Sequence, residues 1–318
     1  MDLVSFTDRA PAAGETVQGR EFRTFPGGKG GNQATAVGKL GHPARFVGCV
    51  GEDAFGQELR DSLRQAGVSV EYLKAVSEVS TGVAAITVEA GGENRIVVTP
   101  GANARVGAAY VEACARAGAF EGCTHLLLQL EIPLDGVEAA ARLARQRGAV
   151  VILDPAPVPR GGLPPSLLAN ASILTPNESE LAGLYAQLEG RAFTGGAAAR
   201  GPGEPGPGAV AAMARRLLQE GVGHVVVKLG ARGCLLVDRD GEQMIPGFTV
   251  QAVDTTGAGD AFNGGLAVAL AKGYALPEAC RIANAVGALS VTGAGAQGAL
   301  PRWDQVEALT RTGGRGDA

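Results

Sequence analysis

Residues 124–154, THLLLQLEIPLDGVEAAARLARQRGAVVILD, set one amphipathic segment between two apolar runs. Leu126, Leu127 and Leu128 in the first run, and Val150, Val151, Ile152 and Leu153 in the second, are continuous rather than alternating. That is the pattern of strands covered on both faces. Between them Leu134, Val137, Ala141 and Ala144 recur at spacings of three and four, the period of a helix with one buried face. Strand, helix and strand in this order form the repeating unit of a parallel sheet. The unit recurs along the chain: residues 45–50, 124–130, 149–154, 172–175 and 224–229 read as strands, and 55–65, 108–116, 134–147 and 210–220 as helices. The fold class is therefore α/β, with a doubly wound, mainly parallel sheet and one main core spanning residues 1–318.

A different texture appears at 82–88 and 95–99, two extended runs joined by Ala90-Gly91-Gly92-Glu93-Asn94, whose glycines suit a hairpin turn. With the extended segment around 16–24, this hairpin is expected to form a small β-sheet lid from about residues 10–26 and 81–100. The two faces of the alternation, Val83, Ala85 and Thr87 against Ala84, Ile86 and Val88, suit covering a ligand on one side and pairing with a second subunit on the other, so a homodimer is expected.

A net charge of −4 gives no electrostatic reason to bind nucleic acid. Cys49, Cys114, Cys123, Cys234 and Cys280 are odd in number and lack a C-x-x-C pair, which argues against a disulfide framework or a zinc site and for a reducing cytoplasm. No basic-then-apolar leader opens the chain, and apolar runs such as 126–128 and 225–227 are far too short to span a bilayer. A soluble, cytoplasmic protein with no membrane partner is expected. Residues 195–208, dense in Gly and Pro, read as a surface loop, and 312–318 as a frayed end whose Arg315-Gly316-Asp317 is a chance tripeptide.

Two glycine-rich stretches carry the chemistry. In Asp254-Thr255-Thr256-Gly257-Ala258-Gly259-Asp260-Ala261-Phe262, glycines let the backbone approach a ligand, and the amides opening the following helix favour an anion such as phosphate. Asp260, in the first turn, is placed to accept the proton of an attacking hydroxyl, although an Asp in this position also serves simply as a helix cap. In Pro26-Gly27-Gly28-Lys29-Gly30-Gly31-Asn32-Gln33-Ala34, glycines flank a lysine and an amide able to bind a polyol, the bland alternative being a flexible loop with a solvated lysine. The Walker A spacing is absent from the chain. Two G-x-G-x-x-G strings, at 201–206 and 293–298, lack the strand before and helix after that a dinucleotide site needs. The three histidines lack metal spacing, and Trp303 reads as packing for the last helix.

Together, G-G-K-G-x-N-Q-A early and D-T-T-G-A-G-D-A-F-x-G-G late resemble the paired signature of the ribokinase family of sugar kinases, over essentially the whole chain. Leu128-Gln129-Leu130-Glu131 and Thr175-Pro176-Asn177-Glu178-Ser179-Glu180 resemble two further segments of that family. The resemblance implies a three-layer core with a β-sheet lid, dimerisation through the lid, ATP and Mg2+ as co-substrates, and activation by a monovalent cation such as K+. It makes Asp260 the base, with the amides of Gly257, Ala258 and Gly259 stabilising the phosphate. Asp2, Gly28, Lys29, Asn32 and Glu131 resemble the sugar contacts. Asn177, Lys228, Gly230, Gly233, Gly259 and Asn284 resemble the nucleotide contacts, and Glu180 organises magnesium through water. Asp254, Thr256, Ser290, Gly293 and Gly295 match the cation positions, with Ala299 a departure that lacks a hydroxyl. The implied reaction is ATP-dependent phosphorylation of the hydroxymethyl group of ribose. A kinase for deoxyribose, fructose or adenosine, or an inactive sugar-binding regulator, is the alternative. The family also runs an apolar strand into the turn that Met1 and Asp2 end, so a strand upstream of Met1 is expected, with Asp2 frayed in its absence.

Overall fold

The computed structural model describes residues 1–191 and 207–313. The expected loop at 195–208, except for its last two residues, and the tripeptide at 315–317 lie outside the described residues. Six strands form the main sheet, in the order β12 (Glu242–Pro246), β11 (Gly233–Val237), β10 (His224–Lys228), β9 (Ile173–Leu174), β8 (Val150–Leu153) and β7 (His125–Leu128). From β7 to β10 the pairing is parallel; β11 and β12 return antiparallel. Alternate residues enter opposite cores: Val151, Leu153, Val225 and Val227 join one cluster, and Ile152, Ile173, Val226 and Leu236 the other. This two-sided burial explains the unbroken apolar runs in the sequence.

Helices α4 (Leu134–Gln146), α6 (Glu178–Leu188) and α7 (Pro207–Leu218) supply buried residues to the first core. Helices α8 (Ala258–Ala271) and α9 (Leu276–Ser290) supply the second. α8 runs against α1 (Lys29–Lys39) so closely that a methyl on Gly264 would sit 2.6 Å from the Ala36 methyl. This contact brings the two glycine-rich stretches together.

A separate parallel pair, β3 (Ala44–Gly51) and β4 (Val68–Val76), stands beside the sheet. Among the described residues β3 and β7 are each paired on one side only. A cavity of about 1180 Å³, lined by Phe46, Val47 and Gly48 of β3 and Leu126, Leu127 and Leu128 of β7, opens beside them.

The lid is a four-stranded sheet, β2 (Gly19–Phe25), β1 (Asp2–Thr7), β5 (Val83–Val88) and β6 (Asn94–Thr99), in that order. Its second strand corrects the expectation of a frayed Asp2. Asp2 pairs with Phe25 on one side and Ala84 on the other, and the Met1 ammonium donates to the Gly82 carbonyl at 2.9 Å. Satisfied backbone groups on both sides hold the residue in place. Cross-strand register puts Phe22, Ala85 and Val97 on one face and Asp2, Val4, Ile96 and Val98 on the other.

Candidate active site

The site residues gather where the parallel strands end. Gln129 and Glu131 follow β7, Asp154 follows β8, Asn177 follows β9 and Lys228 closes β10. Ligands of open α/β sheets bind outside these carboxyl ends, where the strands release the chain to loops.

Asp260 lies in the first turn of α8 and is only 6% exposed. Its Oδ2 accepts from Asn32 Nδ2 at 2.9 Å and its Oδ1 from Gln33 Nε2 at 3.1 Å. Burial, reinforced by the neighbouring Asp154 carboxylate, raises its pKa to about 6 against the opposing pull of Lys29 and the two amides. A helix cap alone would not explain this environment, because the Asp260 carboxylate bonds to no backbone amide among the described residues.

Around Asp260 the backbone presents donors. Gly257 precedes α8 with φ 74°, a left-handed conformation that favours glycine, and a Cβ there would lie 2.7 Å from Ala296 Cβ. The N–H groups of Gly257, Gly259 and Asp260 find no acceptor among the described residues. Ala258 departs from the expected trio: its N–H donates to the Thr255 carbonyl at 3.3 Å. Unpaired amides at the positive end of a helix suit an anion. Lys228 adds a cation, its Nζ 3.3 Å from where a Gly259 side chain would begin. The same Nζ pairs with Asp154 Oδ1 at 2.9 Å, well out of solvent.

The expected sugar residues converge from three elements. Lys29 N–H donates to Glu131 Oε2 at 2.8 Å, and Gly28 before it has φ 87°, a left-handed conformation that favours glycine. Asp2 packs against Gly27 so tightly that any side chain there would collide with its carboxyl. Burial raises the pKa of Asp2 and of Glu131. Burial works against the charge on Lys29, yet Asp260, Asp154, Glu131 and Glu180 outweigh it and raise its pKa. Asp2, Gly28 and Glu131 also face the large cavity, whose wall is mostly apolar and does not include Asp260 or Asn32. The cavity as a whole therefore lacks the polar lining that a polyol needs, and the polar cluster lies at its margin.

The expected nucleotide residues flank Lys228, with Asn177 after β9 on one side and Gly230 and Gly233 toward β11 on the other. Asn177 bridges to Lys228 in parallel register. It also caps α6 reciprocally with Glu180: its Oδ1 accepts from the Glu180 N–H and its own N–H donates to Glu180 Oε2, each at 2.8 Å. Both residues thus hold a structural role, and Glu180 Oε1 stays free of hydrogen bonds among the described residues. Gly230 and Gly233 have φ 60° and 97°, and a side chain on Gly233 would strike the Ile245 carbonyl. Asn284 spends its amide nitrogen on the carbonyls of Ile245 and Pro246, both at 3.1 Å, and so anchors the end of β12 to α9.

At the expected cation positions, Asp254 is already engaged: Oδ1 accepts from the Thr256 N–H and hydroxyl, and Oδ2 from the Gly295 N–H at 2.8 Å. The Ser290 hydroxyl donates to the Gly287 carbonyl, so its side chain is also spoken for. The carbonyls of Thr256 and Gly293 accept no hydrogen bond among the described residues, which fits a weakly bound monovalent cation held by backbone oxygens. Ala299 contributes only a methyl, packed where Gly293 has none.

Reading the sequence missed Asp154 and Gln129, and gave Gln33 and Gln297 no role. Asp154 carried a signal, a carboxylate ending a fully apolar strand; Gln33 and Gln297 carried none beyond lying in glycine-rich stretches, and Gln129, at the end of an apolar run, carried none.

The profile of pfkB family carbohydrate kinases matches residues 1–303. The chain belongs to this family. It is 38% identical over 315 residues to the ribokinase of Schizosaccharomyces pombe, covering 96% of this chain and 93% of that one. The structure is similar to the ribokinase of Thermotoga maritima, with a TM-score of 0.83 at 36% identity over 98% and 96% of the two chains. It is also similar to the ribokinase of Arabidopsis thaliana complexed with ribose and ATP, with a TM-score of 0.81 at 31% identity over 97% and 95%.

Proposed function

We propose that this protein phosphorylates ribose with ATP, transferring the γ-phosphoryl group in line to the hydroxymethyl oxygen, with Asp260 as the base. The observation that carries the reading is the burial of Asp260 beside unpaired α8 amides, with the Lys29, Asn32 and Glu131 cluster on one side and Lys228 on the other. Asp2, Gly28, Lys29, Asn32 and Glu131 bind and orient the sugar. Asp260 takes the proton of the attacking oxygen, and the amides of Gly257 and Gly259 with Lys228 stabilise charge on the phosphoryl oxygens. Asn177, Gly230, Gly233 and Asn284 shape the nucleotide side. Catalysis then rests on positioning and electrostatics.

Magnesium fits beside Glu180, whose unbonded Oε1 is a hard oxygen suited to holding a water of the ion's shell. When bound, magnesium neutralises charge on the phosphates. A potassium-like ion fits the free carbonyls of Thr256 and Gly293, with Asp254, Ser290 and Gly295 framing the loop. A coupled assay for ADP release across ribose, deoxyribose, fructose and adenosine tests the reading: ribose is expected to give the highest kcat/KM, and equal or better turnover of another acceptor refutes that choice.

The acid limb of activity follows from Asp260. The base works deprotonated, so kcat/KM for the sugar is expected to be flat above about pH 6 and to fall about tenfold per pH unit below it. Because the folded pKa lies above the ordinary carboxylate value, ionising Asp260 costs stability: the cost is absent in acid and develops as pH rises from 3.8 to about 6. A pH–rate profile with no limb between pH 5 and 7 contradicts the assignment.

The lid supports association of two copies. Phe22 and Val97 on one face are 61% and 68% exposed, and Ile96 and Val98 on the other are also open to solvent. Apolar side chains on a sheet with a free edge favour pairing with another sheet. A homodimer in the cytoplasm is the proposed state, and light scattering that gives one chain mass at all accessible concentrations excludes it.

A further inference from the structure

We propose that Gln297 is a positioning residue that keeps the Asn32 amide turned with its NH2 toward Asp260, coupling the 291–299 loop to the base. The inference rests on the reading of Asp260 as that base. Gln297 Nε2 donates to Asn32 Oδ1 at 2.9 Å, and Asn32 Nδ2 donates to Asp260 Oδ2 at 2.9 Å. Behind them, the Ser62 hydroxyl donates to Gln297 Oε1 at 3.2 Å. Ser62 lies on α2 (Ala54–Gln65), Asn32 on α1 and Asp260 on α8, so segments remote in sequence meet in one file of donors.

The direction of the file is what matters. An ionised carboxylate only accepts, so Asn32 must offer it the amide nitrogen. The Asn32 oxygen then needs a donor on its far side, and Gln297 supplies it. Reversing either amide would set oxygen against oxygen or N–H against N–H. An equivalent file serves the other carboxylate oxygen: Gln129 Nε2 donates to Gln33 Oε1 at 2.5 Å, and Gln33 Nε2 donates to Asp260 Oδ1. The Gln297 loop is itself fixed, through the Gly295 N–H to Asp254 Oδ2 and through Ala296 packed on Gly257. A shift of this loop therefore reaches both the anion-binding amides and, through Gln297, the base.

The charged groups facing Asp260 are Lys29 from α1 and Asp154 after β8, the latter paired with Lys228 of β10. None of them is altered by changing Gln297 to an uncharged residue. The test uses Gln297→Met, Asn32→Ala and the double variant, reading the Asp260 carboxyl by carbon-13 NMR titration of the ligand-free protein, with Asp260→Asn to assign the signal. Loss of a hydrogen bond to an ionised group raises a carboxyl pKa. Gln297→Met is expected to move the midpoint up by about half a unit and Asn32→Ala by about one unit, with the double variant matching Asn32→Ala alone. In turnover, Gln297→Met should raise the sugar KM about tenfold with the ATP KM unchanged. An unmoved midpoint in Gln297→Met, or a further shift on the Asn32→Ala background, overturns the proposal. If Gln297→Met does not fold, Ser62→Ala carries the same prediction with a smaller upward shift, and an unmoved midpoint there overturns it too. The titration needs no turnover, so a chain that phosphorylated no sugar would sink the kinase reading and leave this result to be judged separately.

Discussion

Asp260→Asn is expected to lower kcat by about 10²- to 10⁴-fold while sugar and ATP still bind. The amide keeps the shape of the carboxylate at a position only 6% exposed but is not an effective proton acceptor. Residual rate is expected, because the unpaired amides of Gly257 and Gly259 and the Lys228 ammonium remain in place. The residual rate should also lose the acid limb near pH 6, since the group that produces it is gone. A variant with near wild-type kcat, or one that keeps the limb, removes Asp260 from the role of base. Steady-state kinetics against pH, together with equilibrium binding of each substrate, makes the comparison.

Lys228→Met is expected to destabilise the fold by about 3–5 kcal/mol, the cost of stranding a buried charge. The Lys228 and Asp154 side chains are 13% and 3% exposed, and the pair lies beside Asp260 in a site already rich in carboxylates. Against a typical total of about 5–15 kcal/mol, that loss takes a large share of the stability. The double variant Lys228→Met with Asp154→Asn should recover most of the loss, because no carboxylate is then left unpaired, and Gln33 Nε2 can still donate to residue 154. Its affinity for ATP should stay impaired, because the ammonium beside Gly259 is still missing. Urea unfolding of the three proteins measures the first effect and the ATP KM the second. A Lys228→Met protein that unfolds within about 1 kcal/mol of wild type would show that the pair carries little net charge penalty.

The fold was legible where burial on two faces writes continuous apolar runs, as at 149–154 and 224–229, and where a single buried face writes the helical period, as at 134–147. It was less legible at β4, whose residues alternate without a turn signal pointing to its partner, and at the short antiparallel pair β11 and β12, where the Asp240-Gly241 turn signal between them went unread. The destination of β1 was also hidden. Asp2–Thr7 joins the lid because its partners, β2 and β5, come from distant parts of the chain that no local pattern identifies. At the site, Asp260, Lys29 and Asn32 stood out because glycines surround them and mark close backbone approach. Asp154, Gln33, Gln129 and Gln297 act through partners 74 to 265 residues away, as in the Lys228 pair and the Asn32 contact, and such pairings exist only after folding. The Ala258 amide is similar: the sequence placed it among three equivalent donors, and only the local turn onto Thr255 singles it out.

The most direct test of the account is the chemical identity of the product formed from ribose, ATP and magnesium, read by proton-coupled phosphorus NMR. Transfer to the hydroxymethyl oxygen places the phosphate next to two protons, so the account predicts a sugar-phosphate triplet that grows as ADP appears and is absent with Asp260→Asn. A doublet, from phosphate on a ring-carbon oxygen, or ADP formation with no new sugar-phosphate signal, would contradict it.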